Sequence, residues 1–442
     1  MYSYIVFASW GGAFALGPWF PIHVLVLLSA FVLSIPRILT DRKFPKGIYR
    51  FEDIFICLGL AGIAVSGILH PNEKTLNYLG AYFYIFGIGY LALKFLLYKN
   101  TSMDKLFTVN MVTVLFIAAF AAVEVMSGYF LGFDIQTVIP RDRPAGAIYN
   151  GVLLRAYGFA TEPGTVAFYF NTLGILALWK LWDYKSAHGF LKAFLTGLLA
   201  LAWICTFSAG GFAFLAVSVI IVLAVRSCDA TITKKKVLAT TSSNNCRQPT
   251  RDYRPAWNKL AILAALLLTV YLIGEHSKLV KYAIEPIVEK VTLQTDEVRL
   301  THWNYAIDNM FENPFFGKGI GYLSSRGEGS SHNWYLFLAL EGGFIAAACF
   351  VLFLICTFMR ILQSKITLKY WFMAGFLAAG LGFLTFSAIH DPFPWILIAI
   401  FNVVEQKQKD AQQPQYVFTG TMPLRPKKRV NYAQAGTTAV SD

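Results

Sequence analysis

Residues 299–343 read RLTHWNYAIDNMFENPFFGKGIGYLSSRGEGSSHNWYLFLALEGG, and this stretch joins polar chemistry to the start of an apolar run. Arg299 lies in an amphipathic segment, a glycine-rich turn follows, and His332 and Asn333 directly precede the apolar residues that begin at Trp334. An imidazole at a membrane boundary costs free energy unless it has a partner or a task. The stretch therefore predicts a membrane helix with a functional site at its amino-terminal end.

Apolar runs dominate the rest of the chain. Of its 442 residues, 56% are hydrophobic and only 14% are charged. A run of about 17–25 apolar residues is long enough to cross the hydrocarbon core of a bilayer. We predict an all-α polytopic membrane protein of about twelve transmembrane helices. The predicted spans are residues 4–17, 20–39, 54–69, 76–97, 106–127, 164–182, 190–207, 211–225, 260–274, 333–359, 370–389 and 395–404.

The distribution of charge favours a membrane topology over nucleic-acid binding, although the net charge is +13. Residues 227–258 hold six Lys or Arg against two Asp, whereas residues 274–332 hold six Lys or Arg against eight Asp or Glu. Cytoplasmic loops carry the excess of Lys and Arg in membrane proteins. We therefore expect both termini in the cytoplasm, the 274–332 loop outside, and no nucleic-acid partner.

These patterns divide the chain into a transmembrane domain (1–404), an external loop within it (275–332) and a disordered cytoplasmic tail (405–442). The external loop is expected to contain amphipathic helices that lie on the bundle or in the headgroup layer, with Leu300, Trp303, Ile307 and Met310 on one face. The basic segment 227–258 is expected to be disordered, like the tail.

Two charged residues fall inside predicted spans. Glu124 is either functional or a hydrogen-bonded glutamate that faces its own bundle, because an ionisable residue in a membrane needs a partner or a role. Lys94 lies close enough to the end of its span for the ammonium group to reach the interface.

A second external loop carries three arginines that oppose the charge bias. Arg141, Arg143 and Arg155 either bind a phosphate or pyrophosphate, which guanidinium groups hold bidentately, or contact lipid headgroups and nearby aspartates. Shortly after Arg155, Thr161 as the N-cap and Pro163 in the first turn predict a helix start. That helix runs inward, so its positive dipole end faces outside.

The glycine-rich part of the opening stretch predicts a tight turn. Gly317, Gly319 and Gly321 allow a close backbone turn, and no Gly-Lys-Ser/Thr ending follows that would indicate a nucleotide loop. Ser330 and Ser331 are expected to cap the helix that begins near His332. Its outward-pointing N-terminus and that near Glu162, together with Arg155 and Arg299, predict an anion-attracting site.

Neither a metal nor a cofactor is expected. The six cysteines form no disulfide framework, since four lie in spans and two in the predicted cytoplasmic loop. The chain has no C-x-x-C, H-x-x-H or D-x-D spacing that would indicate metal ligands.

Several motifs occur in a characteristic order. The opening stretch contains R-x-x-x-W from Arg299, N-P-x-x-G-x-G from Asn313, H-N-x-x-L from His332 and E-G-G from Glu341, and R-x-x-G-F-x-x-E-P from Arg155 precedes them. This ordered set resembles the bacterial O-antigen ligase/polymerase family. The upstream block is similar to the polymerase branch. The sequence departs from the ligase pattern in having Ala at position 346, where ligases usually have Gly, Thr or Tyr.

The resemblance implies a GT-C-like fold in the bacterial inner membrane and a metal-independent glycosyltransferase with its active site on the periplasmic face. The implied reaction polymerises undecaprenyl pyrophosphate-linked oligosaccharide units into O-antigen, capsule or exopolysaccharide. Two alternatives stay open: a ligase that transfers glycan to a lipid or protein acceptor, and a transporter or flippase of lipid-linked sugars. Membrane lipid and a chain-length regulator are the further partners expected.

The reaction needs cations to stabilise the departing pyrophosphate and a base to accept the proton of the attacking hydroxyl. The resemblance and the residue chemistry assign the first role to Arg155 and Arg299, and the second to His332, as base or acceptor orienter. His332 could instead only hydrogen-bond the loop. Glu162 is expected to orient an arginine or a sugar hydroxyl. The remaining candidates for substrate binding are Asn333, Arg326, Arg141 and Arg143.

Overall fold

The computed structural model describes residues 1–10, 21–40, 47–139, 148–149, 153–160, 162–241, 297–327, 332–385 and 391–412. Within these residues the structure is a bundle of α-helices, with two π-helical segments that connect neighbouring α-helices. The α-helices are α1 (Tyr2–Ala8), α2 (Ile22–Thr40), α3 (Glu52–Leu69), α4 (Thr75–Tyr82), α5 (Leu93–Asn100), α6 (Met103–Leu131), α7 (Pro163–Tyr169), α8 (Ile175–Asp183), α9 (Gly189–Cys205), α10 (Ala209–Thr241), α11 (Glu297–Met310), α12 (Tyr322–Ser325), α13 (Trp334–Gln363), α14 (Lys369–Gly382) and α15 (Phe393–Gln412).

The π-helical segments join neighbouring α-helices without a break. Phe83–Ala92 connects α4 to α5, and Phe170–Gly174 connects α7 to α8. The described strands are a pair of two residues each, in which Ile148 pairs with Leu154 and Tyr149 with Leu153. The prediction of an all-α architecture therefore holds for the described part of the chain, apart from this short ladder.

Five of the described helices are long and apolar enough to cross a membrane. Two shorter apolar helices, Ile22–Pro36 and Gly189–Cys205, accompany them. The protein is thus a polytopic membrane protein. The predicted span 260–274 lies outside the described residues. The five long helices are Glu52–Leu69, Thr75–Asn100, Met103–Leu131, Ala209–Ala230 and Trp334–Gln363.

Two helices continue beyond the ends predicted for them. The helix α10 runs to Thr241, so the first half of the basic segment 227–258 is helical rather than disordered. Residues 227–241 contain no Gly or Pro that would end a helix. Likewise α15 continues past the predicted domain boundary at 404 to Gln412, and the side chains of Glu405 and Gln406 are buried. Glu405 pairs with Lys409 one turn later, at 2.9 Å.

The prediction that Lys94 reaches the interface is wrong. Its side chain is fully buried and forms an ion pair with Asp53 at the start of α3. Tyr90 donates to the other carboxylate oxygen of Asp53 at 2.8 Å. A buried charge is tolerated when it is paired and hydrogen-bonded, and Asp53 supplies that partner here.

Ion pairs of this kind tie several helices together at one end of the bundle. Arg360 near the end of α13 pairs with Glu52 and, at 3.2 Å, with Glu405. Arg50 donates to Gln406 at 2.7 Å. We call this the ion-pair end; α5, α8 and α13 end there.

The opposite end of the bundle carries the loops of interest. We call it the loop end: α7, α10, α13 and α15 begin there, and α3, α6, α9 and α14 end there. The Trp334 N–H donates to the Phe383 carbonyl at 2.9 Å, which joins the start of α13 to the end of α14. Beneath this contact, the ring of Trp334 lies 4.9 Å from that of Phe383 and 5.5 Å from that of Phe350.

Candidate functional site

His332 lies at the loop end, two residues before α13, in a backbone conformation that non-glycine residues rarely adopt. Its φ is +50°, a left-handed value that only a few per cent of non-glycine residues adopt, although Asn, Asp and His adopt it more often than the others. Such backbone strain persists only where the surroundings hold it and is concentrated at functional sites. The backbone at the half-buried His332 is therefore held by its surroundings.

Asn333, rather than Ser330 or Ser331, caps α13. Its Oδ1 accepts from the N–H groups of Tyr335 and Leu336, both at 3.1 Å. Asn is a preferred N-cap residue because its side chain satisfies N–H groups that lack partners within the helix. The side chain is buried, and its Oδ1 atom is engaged in the cap.

Arg155 is held against the turn between α9 and α10. Its Nε donates to the Thr206 carbonyl at 3.1 Å, and the Ala156 N–H donates to the Cys205 carbonyl at 2.8 Å. Phe207 in this turn has a φ of +43°. The half-buried guanidinium therefore has a defined position at the loop end.

Glu124 fixes the segment that follows Arg155. Its carboxylate accepts from the N–H groups of Tyr157 at 3.0 Å and Gly158 at 2.8 Å, and from the side chain of Gln136. Of the two interpretations of Glu124, these bonds support the hydrogen-bonded glutamate that faces its bundle.

Glu162 is the N-cap residue of α7, the place predicted for Thr161, and Pro163 occupies the first turn as predicted. The side chain makes no capping hydrogen bond and is exposed. It is therefore available at the loop end for the orienting role predicted for it.

Asp391, just before α15, was missed in the sequence analysis. Burial, and to a smaller extent the nearby Glu162, raise the pKa of its carboxyl to about 8. Its Oδ2 atom is buried and has no hydrogen-bond partner within the described part of the chain. The Asp-Pro-Phe-Pro sequence directly before the last apolar run was the signal that could have identified it.

A chain of contacts brings these positions to one end of the protein. Arg155 bonds the α9–α10 turn, and a Cβ at Gly210 just after that turn would lie 3.3 Å from Thr385 Oγ1. Thr385 follows Phe383, whose carbonyl accepts from the start of α13 next to His332. Asp391 and Glu162 lie near each other at the same end.

The structure describes the other predicted arginines to different extents. Arg299 lies on α11, whose backbone is described at that position. Arg141 and Arg143 lie outside the described residues. Arg326 is exposed, and its NH1 donates to the Tyr322 hydroxyl at 2.9 Å. That bond gives Arg326 a defined partner on the loop.

The helix α11 packs against α13 with a face slightly different from the predicted one. Ala306 is fully buried, whereas Ile307 is 40% exposed. The ring of Phe311, directly after α11, lies 5.7 Å from that of Phe344 in α13. The predicted amphipathic helix is thus present, and the face in contact with the bundle is rotated by one residue.

The three glycines after Asn313 form the predicted turn. Gly317, Gly319 and Gly321 have φ values of +69°, +96° and +86°, which only glycine adopts readily. Their close neighbours among the described residues are protein backbone and side chains from α13 and the α3–α4 turn. The turn is therefore a structural contact between segments.

No group of three or more His, Cys, Asp or Glu side chains that could hold a metal ion occurs within the described ranges. The polar side chains that the contacts bring to the loop end are an imidazole, guanidinium groups and two carboxyls. This arrangement suits proton transfer and the binding of an anion.

The fold and the loop end together define a polytopic α-helical membrane protein with a polar, cation-bearing site at one end of its bundle. Residues 194–351 match the family model described as O-antigen ligase. The matched segment contains Arg299, Arg326, His332 and Glu341, so these residues lie in a region that is similar to O-antigen ligases, in agreement with the resemblance carried by the motifs. The chain has no match among curated proteins.

Proposed function

We propose that this protein is a glycosyltransferase that polymerises undecaprenyl pyrophosphate-linked oligosaccharide repeat units into O-antigen, capsule or exopolysaccharide, without a metal ion. The observation that carries the proposal is the placement of His332. It lies inside the O-antigen ligase domain, in a strained backbone at the start of a membrane helix, at the same end as Arg155. These features support a base and a cation at one site.

The reaction follows from the chemistry of those groups. An acceptor hydroxyl oxygen attacks C1 of the donor sugar, and the bond between C1 and the pyrophosphate oxygen breaks. His332 accepts the hydroxyl proton, and undecaprenyl pyrophosphate leaves with the bonding electron pair. Arg155 and Arg299 stabilise the negative charge that develops on the leaving group.

The remaining candidates bind the glycan or the pyrophosphate. Glu162 orients a sugar hydroxyl or an arginine, and Asn333 contributes its Nδ2 group because its Oδ1 caps α13. Arg326, Arg141 and Arg143 contribute further positive charge along the path of the pyrophosphate or of acidic sugars.

The loop end is proposed to face the periplasm, with both termini in the cytoplasm and the protein in the bacterial inner membrane. Supporting this orientation, the ion-pair end carries Lys99, Lys185, Lys365 and Lys369 on connections between helices or next to them, as expected of cytoplasmic loops. We also propose about twelve spans in a GT-C-like arrangement, a disordered cytoplasmic tail, and a chain-length regulator as partner.

The test uses purified protein in lipid with a defined undecaprenyl pyrophosphate-linked oligosaccharide. A ladder of lengthened products is expected from the wild type. Loss of a general base typically lowers the rate about 10²–10⁴-fold, so His332→Ala should abolish the ladder. The exposed His188 at the ion-pair end offers a matched control, and His188→Ala should retain the ladder. A full ladder from His332→Ala would contradict the proposal.

A ligase is the second candidate, because the matching family model is described as O-antigen ligase. It would use the same donor chemistry and a different acceptor. Analysis of a deletion strain separates the two: single repeat units on the carrier or surface indicate a polymerase, and long unattached chains indicate a ligase.

A further inference from the structure

The helix α13 is interrupted at Gly343, and an external loop completes its hydrogen bonding. Gly343 has a φ of +77°, which is not helical. The Phe344 N–H, just after the break, donates to the Pro314 carbonyl at 2.7 Å. On the other side, the Leu340 carbonyl accepts from the Lys318 N–H at 2.8 Å and the Glu341 carbonyl from the Gly319 N–H at 3.2 Å. Backbone groups freed by a break in a membrane helix need such partners.

The Glu341 side chain extends the same contact. It is fully buried. One carboxylate oxygen accepts from the Gly321 N–H at 2.7 Å, and the other accepts from the Leu323 N–H at 2.9 Å. These are the backbone groups that lead into α12, so a single carboxylate holds the entry to that helix against α13.

The turn between α3 and α4 covers the loop from the other side. Ser66 Oγ donates to the Glu341 carbonyl at 2.5 Å. Asn72 Nδ2 and Thr75 Oγ1 donate to the Ile320 carbonyl at 2.9 and 3.1 Å. The fit leaves no room for side chains: a Cβ at Gly317 would lie 2.5 Å from the Glu341 carbonyl oxygen.

We propose that Glu341 is a positioning residue for the transfer reaction, an inference that rests on the proposed function. It acts through a latch, which we define as residues 317–323, residues 341–343, Ser66 near the end of α3, and the α3–α4 turn. Along the chain, residues 317–323 lie between α11, which carries Arg299, and His332, and Arg326 directly follows α12. The latch therefore holds the external loop against α13. In this way it sets the distance between His332 and the arginines.

This role has a direct chemical consequence. The transition state requires a proton acceptor at the attacking hydroxyl and positive charge at the leaving pyrophosphate at the same moment. A misplacement of about 1 Å, even from a change remote from the reacting atoms, can lower the rate about 10²-fold. Loosening the latch should thus lower kcat more than it raises KM for the lipid-linked donor.

The test compares Glu341→Gln with the wild type by amide hydrogen exchange and by steady-state kinetics. A glutamine side chain has one acceptor oxygen, so its NH2 group would face either the Gly321 or the Leu323 N–H. We expect faster exchange across 319–325 and a decrease of about 10²-fold in kcat. The matched control is Asp308→Asn, because Asp308 is an exposed carboxylate on the neighbouring helix α11. It should leave both readouts unchanged.

The outcomes are distinguishable. Unchanged exchange in Glu341→Gln would show that the carboxylate does not hold the loop, and faster exchange with normal kcat would show that the latch does not position the site. Either result overturns this proposal and leaves the proposed function standing. A wild type that transfers no glycan would overturn the proposed function, and with it the positioning role.

Ser66→Ala is a milder second variant, needed if Glu341→Gln does not accumulate in membranes. It removes only the hydroxyl bond to the Glu341 carbonyl. Smaller changes in the same direction, in both exchange and kcat, are expected. Their absence would contradict the latch.

Discussion

Asp391 shows how burial gives one residue at the loop end an unusual proton affinity. Its raised pKa of about 8 has burial as the main cause and Glu162 as the second. An unfolded aspartate has a pKa of about 3.9. Between about pH 4 and pH 8, the folded protein therefore keeps this proton, whereas the unfolded chain has released it.

The sign of the resulting pH dependence is definite. Because the folded state binds more protons in this window, the contribution of Asp391 to stability is highest below about pH 4 and decreases as pH rises through about 8. Asp391→Asn removes this term. We expect its thermal midpoint, relative to that of the wild type, to increase with pH between about 5 and 9. The control is Glu73→Gln, at an exposed carboxylate on the α3–α4 turn. A constant difference between Asp391→Asn and the wild type would refute the assignment.

Asn333 allows capping to be separated from substrate binding. Asn333→Ala should cost about 0.5–2 kcal/mol of stability, since it removes the N-cap of α13. Asn333→Asp retains an acceptor oxygen and should restore stability. It should not restore transfer, because the Nδ2 donor is lost. Thermal unfolding and the product ladder measure the two effects, and full transfer by Asn333→Asp would leave capping as the only role.

The glycines of the latch explain why the N-P-x-x-G-x-G and E-G-G motifs occur together. Gly319 has a φ of +96°, and a Cβ there would overlap the carbonyl oxygen of His70. Gly343 is likewise close to the Phe315 carbonyl. Each glycine permits an approach of two backbones that any other residue would prevent.

Gly319→Ala tests this contact. Overpacking costs about 1–3 kcal/mol, and a left-handed conformation adds about 1–2 kcal/mol for an L-residue. We expect a clear fall in the thermal midpoint. The control is the helical Gly80, where an added Cβ atom would have no neighbouring atom within 4 Å. Gly80→Ala should therefore be neutral or stabilising by up to about 1 kcal/mol. Equal midpoints for the two variants would contradict the packing described.

Hydropathy located the five long apolar helices among the described residues, because a long apolar run has few alternatives in a bilayer. It located α13 and its polar start at His332. It could not supply contacts between distant residues: the partner of Lys94 is Asp53, and the donors to Glu124 come from Gln136, Tyr157 and Gly158. The end of α15 was missed for the same reason, since Arg360 and Arg50 stabilise its polar extension.

For the whole molecule, the two ends of the bundle have different characters. Buried ion pairs join α3, α5, α13 and α15 at one end, and strained turns and helix starts meet at the other. A transferase at a membrane surface needs a polar site that is supported by rigidly packed helices. The proposed orientation follows from this asymmetry and from the lysines at the ion-pair end.

Cysteine labelling tests that orientation. In a cysteine-free background, a membrane-impermeant maleimide applied to spheroplasts should label Glu73→Cys at the loop end. It should not label Lys185→Cys at the ion-pair end until the cells are permeabilised. Both residues are exposed, so accessibility depends only on the side of the membrane. The reverse pattern would place the loop end in the cytoplasm.

The break in α13 also bears on how the protein is made. Ribosomes synthesise proteins from the amino terminus, so Ser66 and the residues from Pro314 to Leu323 emerge before Glu341 and Gly343. The partners of the interrupted helix are therefore translated before the interruption itself. The donors to the Leu340 and Glu341 carbonyls are thus already present when α13 leaves the translocon. These carbonyls can form their hydrogen bonds without first being exposed, unpaired, to the lipid acyl chains.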